Sequence, residues 1–226
     1  MAGKSGDRAL SALPPAMRIV DQVQDALSQS ILCGDLGSGS ALSVPDIARK
    51  LNVSRSPVRE AVLALVAKGL AVEHPRRGVV VTTVESADLL AIHEVREFLE
   101  SCAARYCAIR IAEAGLARLK SIMADQKSFV GDSDAEGYFR SNAELHRVIA
   151  EESGNPRLAD IMLPLENQMR IALHRVSADI SHMRRGYSEH RRIVDALASR
   201  DPDAAESAMR QHIAGTIERV RNLGSK

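Results

Sequence analysis

Three histidines are the residues of this sequence with the clearest capacity for chemistry. His146, His190 and His212 lie in segments whose apolar residues recur at helical spacing, and each histidine shares an arc with apolar neighbours. The three imidazoles are therefore predicted to face inward on three different helices, where they can bind Zn²⁺, Ni²⁺ or Mn²⁺. The alternative is that they are buried histidines whose hydrogen bonds are satisfied in a polar, water-containing pocket. Spacing by itself favours this second interpretation.

Arginines at the start of another predicted helix form a second group of candidates, in "NVSRSPVREAVLALVAKGL" (residues 52–70). Arg55 and Arg59 lie on the flank of this helix at its N-terminal end. A recognition helix that enters the major groove needs this arrangement, because its first turns meet the bases and phosphates. The alternative is that both are ordinary solvated charges. The opposite arc is apolar and predicted to be buried, and it consists of Val58, Ala61, Val62, Leu65 and Gly69.

The elements around these arginines have the order of a winged helix-turn-helix. A helix is predicted from Pro15 to residue 33, and a short helix opens at Ser43, which is spaced from Asp46 as in a capping box. Ser54 is predicted to cap the helix with the two arginines. Two β-rich runs, "LAVEHP" and "GVVVTTV", then predict a hairpin. Its tip carries Arg76, Arg77 and Gly78, which are expected to reach an adjacent groove or the DNA backbone.

The rest of the chain has a helical pattern throughout, with helices predicted at 86–112, 115–130, 134–152, 156–177, 180–199 and 202–222. The predicted fold class is mainly α, with an N-terminal winged helix-turn-helix and a C-terminal all-helical bundle. Residues 1–14 are expected to be disordered, residues 15–84 to bind DNA, and residues 85–226 to bind an effector and to dimerise.

Composition narrows the class of protein without identifying a partner. The net charge is +1, and the three cysteines have no CxxC spacing, which is typical of free thiols in a reducing cytoplasm. No apolar run has the length of a membrane span, and the N-terminus lacks the apolar stretch of a signal peptide. We therefore expect a cytoplasmic protein with no membrane partner.

The stretch "IARKLNVSRSPVREAVLALVAKGL", followed by "RRGVVV", resembles the DNA-binding domain of the GntR family of bacterial transcription regulators. This resemblance implies that operator contacts are made by Ser54, Arg55, Ser56 and Arg59 together with the wing tip. One departure from the family pattern is Val44-Pro45, where many relatives have a Glu-Arg pair. An arginine that contacts phosphate or base is therefore missing, and operator affinity or sequence is expected to differ.

The helical part resembles the FCD effector domain, which is typical of the FadR subfamily of GntR regulators. The resemblance rests on "IHEVREFLESCAARYCAIRI", "ELHRVIAEESGNPRL", "SEHRRIVDAL" and "MRQHIAG". It implies a metal site in which His146, His190 and His212 are joined by an Asp four residues before the first histidine. That position is Asn142 in this chain, so the site loses a negative charge and should bind a cation less tightly.

A metal with open positions would coordinate the carboxylate of a small effector, and Arg96 is a candidate to pair with the same carboxylate. For Arg96 the alternative is a surface salt bridge with Glu100, four residues later on the same helix. The remaining histidines, including His93, are predicted to be surface or packing residues.

These features predict a ligand-responsive transcription regulator, more often a repressor in this family, which binds a palindromic double-stranded DNA operator as a homodimer. Reorientation of the two domains is expected at residues 84–88. One alternative is a metal-dependent hydrolase that uses the three histidines. It lacks a general base, since Glu144 is the one carboxylate expected near His146 and it points away on the helical wheel. Another alternative is a DNA-binding protein without an effector.

Overall fold

The computed structural model describes residues 18–173 and 180–223 of the chain. The first part of the described chain consists of α1 (Ile19–Leu32), α2 (Val44–Leu51), α3 (Arg55–Ala67), β1 (Ala71–His74) and β2 (Gly78–Val81). The second part consists of α4 (Ser86–Arg110), α5 (Glu113–Asp132), α6 (Ala135–Glu152), α7 (Pro156–Leu173), α8 (Ile180–Ala198) and α9 (Pro202–Leu223). The predicted fold class, a winged helix-turn-helix followed by a helical bundle, is confirmed.

Some sequence-based expectations fall on residues that the structure does not describe. These are the disordered segment 1–14, the start of the first helix at Pro15, and the end of a later helix at residue 177. Within the described residues, the six helices of the second part begin and end within a few residues of their predicted bounds. No helix in the described part of the chain is both long enough and apolar enough to cross a membrane.

The core of the DNA-binding part forms where α1 and α3 pack on each other. The apolar arc predicted for α3 is buried, and Val58, Ala61 and Leu65 are inaccessible to solvent. A tight turn joins α2 to α3, because Asn52 adopts the left-handed conformation with φ of 52°.

The two predicted N-terminal caps have different outcomes. Ser43 accepts a hydrogen bond from the Asp46 N–H at 3.4 Å, so the predicted cap of α2 is present. Ser54 occupies the N-cap position of α3, but its side chain makes no capping hydrogen bond. Ser54 is therefore the N-cap residue, as predicted, but without a capping hydrogen bond, and its exposed hydroxyl remains available to a partner.

The wing is an antiparallel hairpin, shorter at both ends than the sequence predicts. Ala71 pairs with Val81 and His74 pairs with Gly78, so residues 75–77 form the tip. Gly78 has a φ of +69°, a conformation that favours glycine, and this explains its position directly after the two arginines. Ala41 forms a bridge to Val80, which ties the wing to the loop before α2.

Helix α7 lies between the DNA-binding part and the helical bundle. Its Ile171 is buried in the apolar core of the DNA-binding part, whereas Met162 belongs to the core of the bundle. The Asn167 side chain donates a hydrogen bond of 2.9 Å to the carbonyl of Lys68, the residue that caps the C-terminus of α3. Gly69 follows directly and packs against the backbone of Pro164. The recognition helix is thus held at its C-terminal end by α7.

Candidate functional site

The predicted DNA-contacting residues all lie at the surface. Ser54, Arg55, Ser56 and Arg59 are exposed at the start of α3, and Arg76, Arg77 and Gly78 are exposed at the tip of the wing. Neither Arg55 nor Arg59 forms an ion pair with any described residue. Contact of these residues with DNA stays a prediction, but nothing in the described fold occupies their guanidinium groups.

The wing arginine Arg77 has a structural partner. Its Nη2 donates a hydrogen bond of 3.1 Å to the carbonyl of Gly39, in the loop between α1 and α2. Part of the hydrogen-bonding capacity of Arg77 therefore stabilises the base of the wing. Arg76 has no such contact with any described residue.

The three predicted histidines converge in the interior of the helical bundle. His146 comes from α6, His190 from α8 and His212 from α9, and all three are buried. One nitrogen of each ring lies within 4.8 Å of the corresponding atoms of the other two. The ring centroids of His190 and His212 are 4.6 Å apart, and both lie 5.3 to 5.5 Å from that of His146.

Each of the three rings has a polar partner at its Nδ1 atom. The Nδ1 of His190 lies 2.9 Å from Gln126 Oε1, and the Nδ1 of His212 lies 2.8 Å from Glu189 Oε2. The Nδ1 of His146 contacts Glu100 Oε2. For His190 and His212, a hydrogen-bond acceptor at Nδ1 favours the proton on that nitrogen, which leaves the Nε2 lone pair available to a metal.

Burial favours the neutral form of the His190 and His212 imidazoles, which is the form that metal binding requires. Burial lowers the pKa of His212 to about 4, although the hydrogen bond that its Nδ1 donates to Glu189 acts in the opposite direction. Burial and the neighbouring His212 lower the pKa of His190 well below its ordinary value. The Nε2 of His190 has no hydrogen-bond partner among the described residues although it is fully buried. This orphaned acceptor fits a bound cation.

Carboxylates behind the histidines are held ionised by arginines. Burial by itself would raise the pKa of Glu100, but Arg96 and His146 outweigh it and lower that pKa. Arg219 likewise forms a bidentate pair with Glu189, at 3.0 and 3.2 Å, and helps lower the Glu189 pKa against the effect of burial. The donor set therefore combines three imidazoles with nearby negative charge, which suits a divalent cation.

The groups behind the histidines were not predicted from the sequence. The expectation that Glu144 is the one carboxylate near His146 is wrong, because Glu100 contacts its ring. Glu144 does point away, and it pairs with Arg118 and Arg147 instead. A signal was present in the sequence, since Glu100 is a charged residue on the inward-facing arc of α4, next to the buried Ala103 and Ala104.

A cavity of about 130 Å³ opens beside the three-histidine cluster. His146, His212 and Asn142 line it, and so do Arg96 and His93. Its remaining walls are largely apolar side chains such as Leu89, Tyr138, Phe139, Met169, Met183 and Ile213. His93 is thus a packing residue, as predicted, but it also borders the cavity, and its Nδ1 is buried without a hydrogen-bond partner in the described chain.

Arg96 lies in this cavity and does not take part in a surface salt bridge. It pairs with Glu100 through Nε at 2.5 Å, and the side chains of the two residues are only 5% and 1% exposed. The predicted salt bridge between Arg96 and Glu100 is therefore present, but it is buried and not at the surface. Its Nη1 contacts the thioether sulfur of Met169, which is a weak acceptor.

Comparison with known protein families identifies the family to which this chain belongs. Residues 19–81 match the family described as bacterial regulatory proteins, gntR family, and residues 91–215 match the FCD domain. The chain belongs to the GntR family. It is a transcription regulator with a DNA-binding helix-turn-helix domain and an FCD effector-binding domain, in the FadR-like subfamily, and it is not an enzyme. The family match therefore contradicts the alternative of a metal-dependent hydrolase.

Curated relatives extend the match over almost the whole chain. The HTH-type transcriptional repressor NanR of Citrobacter rodentium is 30% identical, and the alignment covers 97% of this chain and 92% of NanR. The HTH-type transcriptional repressor RspR of Escherichia coli is 28% identical over 93% of this chain and 92% of RspR.

Solved structures share the fold. The structure of E. coli McbR/YncC has a TM-score of 0.78 and 22% sequence identity, and covers 92% of this chain and 99% of that one. A GntR transcriptional regulator from Rhodococcus sp. has a TM-score of 0.75 and 24% identity, and covers 92% of this chain and 98% of that one.

Proposed function

We propose that this regulator is a repressor that binds a palindromic operator as a homodimer, and that a small carboxylate effector, bound beside a divalent transition metal, controls its affinity for DNA. One observation carries the proposal: a buried three-histidine cavity and an exposed cationic recognition helix occur in one chain, joined through α7. The sign of regulation is supported by relatives named as repressors, NanR and RspR. We also propose that it acts in the cytoplasm.

The DNA-binding part of the proposal assigns operator contacts to Ser54, Arg55, Ser56 and Arg59. The unpaired guanidinium groups of the two arginines support this, because a partner can take them without breaking an existing ion pair. Arg76, Arg77 and Gly78 would contact the adjacent groove or backbone. We place the domain boundary at residues 84 and 85, between the two family matches, which end at 81 and start at 91.

For the metal, we assign His146, His190 and His212 as ligands through Nε2, with Asn142 beside them. The hydrogen bonds at Nδ1 of His190 and His212 support this assignment, since groups hydrogen-bonded to metal-binding histidines usually fix the ring orientation and tautomer. Glu100 contacts Nδ1 of His146. Asn142 contributes a neutral oxygen, so affinity should be lower than with an aspartate. A bound metal would supply an electrophilic centre with open positions for an oxygen ligand.

The class of effector follows from the charge of the cavity. Arg96 is a buried cation whose Nη1 faces a thioether sulfur where an oxygen acceptor would bind far better. A carboxylate is the small group that best matches a guanidinium edge, because two parallel hydrogen bonds can form. An engineered cavity of roughly 150 Å³ holds benzene, so a volume of about 130 Å³ suits a compact acid.

An exposed apolar stripe on α4 supports the homodimer. Val95, Phe98, Tyr106 and Ile109 are exposed, and Phe98 is the most accessible at 68%. With Cys102 they recur at intervals of three and four residues, so they lie along one face of the helix. A second copy packed on the same stripe would bury these side chains about a two-fold axis and would explain a palindromic operator.

Control of DNA affinity requires a physical connection between the two functional regions, and α7 supplies one. Met169 lines the cavity, while Asn167 and Pro164 on the same helix contact the end of the recognition helix. A ligand that displaces the Met169 side chain would therefore act on a helix already bound to α3. This connection supplements the predicted pivot at residues 84–88.

The experiment has a DNA arm and a metal arm. In the DNA arm, the full chain selects its operator from random duplexes, and affinity is then measured with and without Zn²⁺, Ni²⁺ or Mn²⁺ and a panel of organic acids. We expect a palindromic site and a loss of affinity that depends on acid and metal. If no acid alters the affinity, the alternative of an effector-independent DNA-binding protein replaces effector control.

The metal arm measures metal content after purification without chelator, in the wild type and in His190→Ala. We expect bound metal in the wild type and a large loss in the variant. Absence of metal from both proteins would contradict the metal part of the proposal while leaving the DNA part standing.

A further inference from the structure

A small space, which we call the neck, shares lining residues with the histidine cavity and with an open groove. The neck is about 10 Å³ in volume, and Arg96, His146 and Met169 line both the neck and the cavity. Glu166 and Arg170 of α7 line both the neck and the groove, which holds about 460 Å³ between α5, α6 and α7. Glu166 therefore borders the space next to the histidine cavity.

Glu166 is a carboxylate without a hydrogen-bond donor among the residues that the structure describes. Its side chain makes no hydrogen bond and no ion pair with any described residue, although most of its surface is covered. Burial raises its pKa to about 6, so it is largely ionised at neutral pH, and Arg96 and His146 act in the opposite direction. A covered carboxylate without a donor is costly, and a donor on a ligand would remove that cost.

Arg96, which also lines the neck, is a cation whose hydrogen-bonding capacity is only partly used. Its Nε is used by Glu100, but its Nη1 faces only the sulfur of Met169. Arg96 and Glu166 do not pair with each other, although both line the neck. The Nη1 of Arg96, which has no oxygen acceptor among the described residues, and the Glu166 carboxylate, which has no donor among them, thus line one small space.

We propose that the effector carries an amino group as well as its carboxylate, and that Glu166 binds the ammonium while Arg96 binds the carboxylate. The inference rests on the proposed function, since it assumes an effector carboxylate in the histidine cavity. The small volumes of the cavity and the neck favour a compact amino acid. Glu166 is then the residue that selects amino acids over other acids, because an acid without a cationic nitrogen leaves its charge uncompensated.

The test uses matched acids that differ in one substituent. The Zn²⁺-loaded full chain is titrated with L-alanine, L-lactate and propionate, with L-aspartate, L-malate and succinate, and with L-glutamate, 2-hydroxyglutarate and glutarate. Binding is followed by the shift of the unfolding midpoint and by calorimetry. We expect the amino acid of at least one series to bind tenfold or more tightly than its hydroxy and unsubstituted counterparts.

The variant Glu166→Gln keeps the shape of the side chain and removes its charge. It should lose the preference for the amino acid by tenfold or more while binding the unsubstituted acid as the wild type does. The control is Asp160→Asn, which removes a charge from an exposed position of the same helix. It should keep the preference. A purely structural role of Glu166 would lower the stability of the ligand-free variant and leave the preference intact.

The outcomes separate this inference from the proposed function. Equal binding of amino, hydroxy and unsubstituted acids by the wild type overturns the role of Glu166 and leaves the carboxylate effector in place. An unchanged preference in Glu166→Gln overturns it as well. A wild type that binds none of the acids overturns both the inference and the carboxylate effector.

Discussion

At the scale of single residues, the two functional regions differ in how their charged groups are satisfied. Arg55 and Arg59 are exposed and unpaired within the described chain, whereas Arg96 and Glu100 are buried against each other. Exposed and unpaired arginines can exchange water for DNA phosphates or base edges at little cost. The buried pair cannot separate cheaply, so it serves to hold the histidine cluster in position.

Replacement of a recognition-helix arginine tests the DNA-binding surface. Arg59→Ala should weaken operator binding by about 1–3 kcal/mol. It should leave the fold intact, because Arg59 is exposed and forms no hydrogen bond or ion pair with a described residue. The measurement is fluorescence anisotropy at one fixed salt concentration, with circular dichroism for the fold. Arg191→Ala, on the exposed face of α8, is the control for loss of one charge. Wild-type affinity in Arg59→Ala would contradict the assignment of α3.

Removal of one Nδ1 partner tests the metal site. Gln126→Leu should lower Zn²⁺ affinity by about 10- to 100-fold, because His190 loses the acceptor that fixes its ring and its tautomer. Competition with a chromogenic chelator measures the affinity. Lys127→Leu, at the exposed neighbouring position, controls for the change of residue type. If Gln126→Leu binds Zn²⁺ as tightly as the wild type, the Gln126 contact does not support a metal ligand.

At the scale of elements, α4 has one face in the bundle and another that is apolar and exposed. Its inner face packs along α9, and its outer stripe includes Phe98. Phe98→Glu should convert the protein to a monomer, because burial of a carboxylate in an apolar interface is unfavourable. Light scattering after size exclusion gives the mass. Ile161→Glu, which replaces an exposed apolar residue of α7, should leave the dimer intact.

The close contact between Gly69 and α7 allows a second prediction at the scale of elements. An alanine Cβ at position 69 would lie 2.9 Å from the Pro164 carbonyl oxygen, and φ is +71°. Gly69→Ala should therefore destabilise the protein by about 1–3 kcal/mol, as judged by urea unfolding. Gly131→Ala in α5 meets no atom within 4 Å and should be neutral or stabilising by up to about 1 kcal/mol. Equal stability of both variants would mean that α7 can shift at Pro164 without a measurable loss of stability.

At the scale of the whole molecule, the proposed regulation is a coupling between two sites. A coupling free energy is reciprocal, so an effector that weakens DNA binding must itself bind more weakly to the DNA complex. The described contacts between the recognition helix and the cavity run through α7, from Lys68 and Gly69 to Met169. Weakening these contacts should reduce coupling without removing either site.

Asn167→Ala tests this expectation. It removes the hydrogen bond to the Lys68 carbonyl and should leave effector affinity and effector-free DNA affinity within about twofold of the wild type. The fold-change in DNA affinity produced by the effector should shrink by about fivefold, a loss of roughly 1 kcal/mol of coupling. Gln168→Ala, one residue along α7, is the control. Full coupling in Asn167→Ala would exclude this hydrogen bond from the route.

Much of this architecture was predictable because it depends on local spacing. The order of helices and strands, the buried arc of α3 and the inward direction of the three histidines all follow from apolar periodicity. The break between the helices predicted at 134–152 and 156–177 is also present, and there Gly154 has φ +66° and Asn155 accepts a hydrogen bond from the Arg157 N–H. Each of these features is decided by residues only a few positions apart.

Only the tertiary structure decided which side chains contact the histidines and which helix connects the histidine cavity to the recognition helix. Gln126 is 64 residues before His190, and Glu100 reaches His146 from a different helix. Lys68 and Asn167, which join the two domains, are 99 positions apart. Periodicity shows which face of a helix is buried but not which helix covers it. Those neighbours are fixed by the packing of whole helices, and therefore the sequence determined the elements and the ligand types, while the fold determined their partners.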